Sequence, residues 1–343
     1  MAPHLGDRVV RLGGHHKQAT FAAFTADDRL VVSLGDDESA LSWDVKTGKL
    51  VSAHAYQAGE QVAFSRDGAL IAESMYFGTD SSATIWDAVS ATKRVSLPGD
   101  GKNVWAIAFS PDGSRVALTN NAHQLRVFDS SSGALLATLE GVNEFKTPSF
   151  SPDGSHIAAI ANDDEDIFVF AIDASVSRLS IDTGGIPDEV MYSPDGSTIA
   201  TTAVVGDDTV RLWDAGSGDA RAVLAGAKGA IHSLVFSADG SRMLTASDDS
   251  SARLFDTTSG KSISTLNDEA AGSMSFAALS PDGTRVATVS LGGRAKIWDV
   301  AAQTVVATLN ANGPEASTVA FNHSGDRVVT ADTDGSVTVW AAT

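Results

Sequence analysis

Short runs in which apolar and polar residues alternate, such as "RVALTN" from Arg115 and "TVRLWD" from Thr209, recur along the chain. A period of two is that of a half-buried β-strand, whose side chains point to opposite faces in turn, and not that of a helix. Between the runs stand turn signals: "FSPDG" at Phe109 and Phe150, "FSRDG" at Phe64, "YSPDG" at Tyr192, "FSADG" at Phe236 and "LSPDG" at Leu279. Pro presets the backbone, Asp bonds a following amide, and Gly takes the positive dihedral of a tight reversal. Each pentapeptide therefore ends one strand and turns into the next.

The spacing of these signals sets the organisation. The bulky residue before each turn recurs as Phe24, Phe64, Phe109, Phe150, Tyr192, Phe236, Leu279 and Phe321, at intervals of 40 to 45. A second anchor is tighter: Trp43, Trp86, Phe128, Phe170, Trp213, Phe255, Trp298 and Trp340 recur every 42 or 43 residues. Eight units of four short strands fill the chain, which is the signature of β-propeller blades. We expect an all-β, eight-bladed β-propeller of four-stranded antiparallel blades, residues 1–343 forming one domain; seven blades plus a loose unit is the alternative.

An offset predicts how the ring closes. Leu309 lies twelve residues before Phe321, and Leu12 in "RVVRL" lies twelve before Phe24, although no complete blade precedes it. The chain ends three residues past Trp340, before a fourth strand can form. Residues 8–12 are expected to complete the last blade, so that no sheet edge is left open. The two deviant turns, "FTADD" at Phe24 and "FNHSG" at Phe321, fall in the blades where the termini meet.

"FSPDGSRVALTNNAHQLRVFDSSSGALLATL" from Phe109 and "FSADGSRMLTASDDSSARLFDTTSGKSISTL" from Phe236 resemble WD-repeat units. So do the dipeptides Trp43-Asp44, Trp86-Asp87, Trp213-Asp214 and Trp298-Asp299, and the resemblance runs over the whole chain, with repeats of bacterial type. It implies that the third-strand aromatics pack between blades. It also implies a buried polar chain of Trp, Ser or Thr, His and Asp; His15, Ser33, Asp37 and Trp43 match it in the first blade. Elsewhere the His position reads "LPGD", "LEGV", "LAGA" or "LNDE". The other seven blades are therefore expected to rest on apolar packing instead.

The Asp of that chain persists without its His. Asp37, Asp80, Asp164, Asp207, Asp249 and Asp334 each stand six residues before the third-strand aromatic, while Ala122 and Gly292 replace it in the third and seventh units. By the family's topology these turns share the face of the connections between blades. Two roles are open: each Asp holds its own hairpin through backbone amides, or the six form a docking face for a basic peptide, domain or cation, together with Asp163, Glu165, Asp166, Asp208 and Asp248. Trp105 breaks register on a first strand, four residues before Phe109. It marks a pocket near the channel mouth or fills space between blades two and three.

Composition alters this picture modestly. The net charge is −19, from 43 acidic and 24 basic residues, and without a basic stripe to release counterions it opposes nucleic acid and anionic lipid as partners. Much of that acidity belongs to the repeat, since Asp67, Asp112, Asp153, Asp195, Asp239 and Asp282 occupy first turns and Asp44, Asp87, Asp129, Asp214, Asp256 and Asp299 follow the third-strand aromatic. Those twelve are expected on the opposite face. The chain has no cysteine, so no disulfide or Cys-ligated metal is possible. No apolar run of signal or membrane-spanning length occurs, and a soluble, cytoplasmic chain is expected.

Motifs for catalysis are missing: no "GxSxG", no "HExxH", no phosphate-cradling loop, and eight histidines that share no register. The resemblance implies a non-enzymatic scaffold for a protein or peptide; the acidic turns suggest a partner of basic character, and a monomer with no cofactor and no metal is expected. The alternatives are a propeller enzyme, either a lactonase-like hydrolase or a quinone-dependent dehydrogenase, which needs convergent His, Glu or metal ligands, and a carbohydrate-binding propeller, which usually presents an aromatic in every blade.

Overall fold

The structure, a computed structural model, describes residues 3–56, 61–74, 83–140, 145, 148–160, 166–173, 178–185, 187–203, 208–268, 272–291, 294–309, 313 and 315–343. Among them, thirty-two strands form eight four-stranded antiparallel sheets. Seven sheets are sequential hairpin runs: blade one (19–55), two (61–97), three (104–140), four (149–182), five (187–224), six (231–267) and seven (274–308). Blade eight (316–341) has three strands of its own, and its fourth is Arg8–Leu12, antiparallel to Val337–Ala341 with Arg11 opposite Thr338 and Leu12 opposite Val337. The closure expected from the twelve-residue offset is the one observed.

The first turns show why the pentapeptide repeats. In blade three, Ser110 donates its hydroxyl to Asp112 at 2.6 Å and accepts the Arg115 amide at 2.9 Å, while Asp112 accepts the Ser114 amide at 3.0 Å. Gly113 closes the reversal at φ +71°. Ser65 with Asp67, Ser151 with Asp153, Ser193 with Asp195, Ser237 with Asp239, and Ser280 with Asp282 repeat the same Ser-to-Asp bond. The acids after the third-strand aromatic are likewise turn acceptors, as Asp129 is for the amides of Ser131 and Ser132.

The chain divides into two compact units: Met1–Ala55 with Leu224–Thr343, and Tyr56–Val223. In the first, blades six, seven, eight and one pack in succession; in the second, blades two to five do so. Within each unit, Trp43, Phe128, Phe170, Trp213, Trp298 and Trp340 join the core of the preceding blade. Trp43 of blade one shares a cluster with Val329, Ala331, Val337 and Val339 of blade eight. Trp340 sits with Ala287, Val289 and Ile297 of blade seven, and Phe128 with Ala72, Ala83 and Ile85 of blade two. Burying one such ring removes roughly 150 to 250 Å² from water, worth about 4 to 6 kcal/mol at the upper limit.

Candidate functional site

The four residues matched to the polar chain are hydrogen-bonded in series. Trp43 donates its indole N–H to Ser33 Oγ at 3.1 Å, Ser33 Oγ lies 2.8 Å from His15 Nε2, and His15 Nδ1 lies 2.9 Å from Asp37 Oδ1. Asp37 also accepts the His16 amide at 2.7 Å and the Ser39 hydroxyl at 2.6 Å. Burial pushes its pKa upward, but the bonds from Ser39, His16 and His15 outweigh burial and hold the carboxyl at about 2. Gly335 shows how closely blade eight approaches this loop: at φ +83°, a Cβ there would lie 2.4 Å from the Lys17 carbonyl oxygen.

Part of the chain persists where the His is missing. Trp213 donates to Thr201 at 2.9 Å, Trp298 to Thr288 at 2.9 Å, Trp340 to Thr330 at 3.0 Å and Trp86 to Glu73 at 2.7 Å. The expectation that these blades rest on apolar packing alone is therefore corrected: each of these Trp carries a donor, and burying it unpaired would cost more than the bond itself returns. The signal was legible as a pairing. Ser33, Glu73, Thr201, Thr288 and Thr330 stand nine residues after the anchor in the Trp blades, and the Phe blades carry Leu118, Ala159 and Thr245 there.

Of the six acids in the candidate docking face, Asp37, Asp249 and Asp334 are described; Asp80, Asp164 and Asp207 lie outside the described residues, as do Asp163 and Glu165. Asp249 pairs with Arg253 at 2.7 Å and accepts the Lys228 amide at 3.0 Å and the Ser247 hydroxyl at 2.9 Å. Burial raises its pKa, and Arg253, Ser251 and Ser247 together drive it well below the usual carboxylate range. Asp334 accepts the Ser336 amide at 2.9 Å and the Arg11 guanidinium at 2.6 Å. Each described acid has its own set of partners, so the structure places them as separate loop acceptors. Around them, Asp248 is bonded to His232 and to Ser273, both at 2.6 Å, and Asp166 accepts the Ser180 hydroxyl at 2.5 Å.

Trp105 lies on the strand Val104–Phe109, at a β-bulge between Val104 and Ala106, and is 46% exposed. An extra residue in one strand bends it and re-aims the side chain. Nearly half of the residue is open to solvent.

Two desolvated acids, Asp332 and Glu189, were not singled out from the sequence. Asp332 is 1% exposed, its Oδ1 has no hydrogen-bond partner among the described residues, and burial pushes its carboxyl up to about 6 against bonds from Ser336, Thr330 and Thr338. Glu189 is half-buried, and desolvation, with a smaller push from Asp188, raises it to about 7. Among the described residues no group of three or more His, Cys, Asp or Glu side chains is arranged to hold a metal ion, and no helix is long and apolar enough to cross a membrane.

The family model described as "WD domain, G-beta repeat" matches residues 92–129, 180–214, 218–256, 260–299 and 303–341, together more than half of the chain. Similar proteins include an uncharacterised WD repeat-containing protein of Synechocystis sp., 30% identical over 44% of this chain and 43% of that protein. The transcriptional corepressor LEUNIG_HOMOLOG of Arabidopsis thaliana is 25% identical over 62% of this chain and 27% of its own length. Autophagy-related protein 16 of the same plant is 28% identical over 52% and 35%. The chain spans less than half the length of these relatives. Among solved structures, the computationally designed Ika8 protein superposes with a TM-score of 0.79 at 21% identity, over 98% of this chain and 100% of that one. The C-terminal WD40 domain of Sif2 gives a TM-score of 0.78 at 15% identity over 99% of each chain. At these identities the likeness is one of fold: an all-β, eight-bladed propeller.

Proposed function

Because the chain belongs to the WD-repeat family of β-propellers, we propose that it is a non-enzymatic scaffold that binds a protein or peptide, as one monomeric domain over residues 1–343. The observation that carries this reading is the use to which the repeat's polar groups are put. Asp37, Asp249, Asp334 and the turn acids are spent on bonds within the blades, which makes a rigid platform and leaves specificity to what differs between blades. The names of its relatives point the same way, including a transcriptional corepressor and a subunit of a translation initiation factor.

Trp105 is the contact residue we assign, since an exposed aromatic on a rigid strand supplies buried area at low entropic cost. The net charge of −19 favours a partner segment of basic character. The acids Asp37, Asp249 and Asp334 support the platform rather than the contact, each being bonded already.

Affinity capture with the immobilised protein and with Trp105→Ala, both first shown to melt at the same temperature, tests this. Loss of one recovered protein in the variant is expected. Identical recovery by the two would remove Trp105 from the contact surface.

A further inference from the structure

The second blade spells its first turn "FSRDG", with Arg66 where blades three, four, five and seven carry Pro111, Pro152, Pro194 and Pro281. In the structure this deviation opens onto a cavity of about 320 Å³ within the unit Tyr56–Val223. The anchors of three successive blades, Phe64, Phe109 and Phe150, form its apolar wall with Pro111 and Pro148, and Arg66, Ser110 and Ser149 supply the polar atoms. That volume is at the small end of ligand pockets, enough for one terminal residue and not for an extended chain.

The polar groups present donors. Arg66 is exposed and makes no hydrogen bond or ion pair among the described residues, although Arg11, Arg94, Arg115, Arg126, Arg221 and Arg253 each pair with an aspartate. Its sequence neighbour Asp67 is taken by the Ser65 hydroxyl and the Ala69 amide. Ser149 accepts the Tyr192 amide at 3.1 Å, which leaves its own hydroxyl proton to give. Ser110 is committed to Asp112 and to the Arg115 amide. A planar guanidinium and one hydroxyl beside aromatic rings match a carboxylate attached to an apolar side chain.

We propose that this cavity binds the C-terminal residue of a partner peptide, an apolar residue with a free carboxylate, Arg66 and Ser149 holding the carboxylate and the three Phe rings receiving the side chain. The site deepens the scaffold reading and rests on it; Phe109 stands on the same strand as Trp105, but Trp105 does not line the cavity and the test does not use it. Because Arg66 is exposed, solvent screens its contact with a carboxylate, and removing it should weaken binding by roughly threefold to fivefold.

Fluorescence anisotropy with a labelled Gly-Ser-Gly-Phe peptide tests the assignment. Binding of the free acid is expected, with a loss of about threefold or more on capping the terminus as an amide, on ending the peptide in Ser, or on changing the protein to Arg66→Gln. Arg66→Pro, which restores the turn residue of the other blades, should keep the melting temperature and lose the peptide. Arg294→Gln, which removes an exposed cation of the other unit, should leave binding unchanged. Equal affinity for the amide-capped peptide, full binding by Arg66→Gln, or no saturable binding up to about 1 mM overturns the proposal. Binding of 3-phenylpropionate alone as tightly as the peptide overturns the peptide assignment in favour of a small free acid. Failure here with Trp105-dependent capture intact leaves the scaffold reading standing.

Discussion

Ser324 donates its backbone N–H to the carboxylate of Asp28 at 2.9 Å, a bond across 296 positions of the chain. His323 donates its amide to the same carboxylate at 2.8 Å and Asn322 its side-chain amide at 3.1 Å. The two turns that depart from the repeat, "FTADD" in blade one and "FNHSG" in blade eight, thus hold each other. Asp28 occupies the place of the usual Gly and keeps its positive dihedral, φ 58°. Asp28→Gly would relieve about 1 kcal/mol of backbone strain and remove three bonds, each worth about 1 kcal/mol. We expect a net loss of about 1 to 2 kcal/mol in urea melts; a gain would show that the contact is incidental.

Closure by the first strand depends on Leu12, which is fully buried against the core shared by blades eight and one. Leu12→Ala should cost about 2 to 5 kcal/mol. Arg11→Ala, whose ion pair with Asp334 is half-exposed on both sides, should cost less than about 1 kcal/mol. Removal of residues 1–12 should lower the melting temperature and promote aggregation through the bared edge. An unchanged melt and a monomeric truncated protein in sedimentation would contradict the pairing.

The indole bonds predict a double-mutant cycle. Trp298→Phe removes the donor to Thr288, a threonine that is itself 2% exposed, and should cost about 1 to 3 kcal/mol. Adding Thr288→Val removes the orphaned hydroxyl and should recover part of the loss, in the manner of Phe128 with Leu118 in blade three. Strict additivity of the two costs in chemical denaturation would argue against coupling.

Asp332 predicts a pH dependence with a definite sign. Its folded-state pKa of about 6 lies above the ordinary value of 3.8, so the folded protein holds this proton more tightly than the unfolded chain. The associated stability is fully present below the ordinary value and is lost as pH rises through about 6. On the order of 3 kcal/mol is at stake, from 1.36 kcal/mol per unit. Asp332→Asn should stabilise the protein at pH 7.5 and flatten its stability between about pH 4 and 7; Asn120 already stands at the equivalent position of blade three. In the opposite direction, Asp37 is held at about 2 and contributes stability that is lost as pH falls from its ordinary value toward that value. Denaturant midpoints across pH check both signs, and an unaltered pH profile in Asp332→Asn would refute the first.

Blade number, strand order and the role of residues 8–12 were legible in the chain itself. The reason is local: each Ser-x-Asp-Gly turn closes its bonds within about five residues, and the alternation of strands such as Arg115–Asn120 sets which side chains enter the core. A repeat of such turns states its own period, and the shared offset of Leu12 and Leu309 states where the missing strand belongs. The fate of the carboxylates was not legible in the same way. Asp334 finds Arg11 at a separation of 323 residues and Asp28 finds Ser324 at 296, while Asp332 is left buried with one oxygen unpaired among the described residues. Likewise the cavity at Arg66 exists only because three anchors, far apart in sequence, converge on one opening. Period and patterning decide which residues lie inside a blade. Which polar group meets which, and which is left to bind something else, depends on how neighbouring blades are packed, and only the tertiary structure decides that.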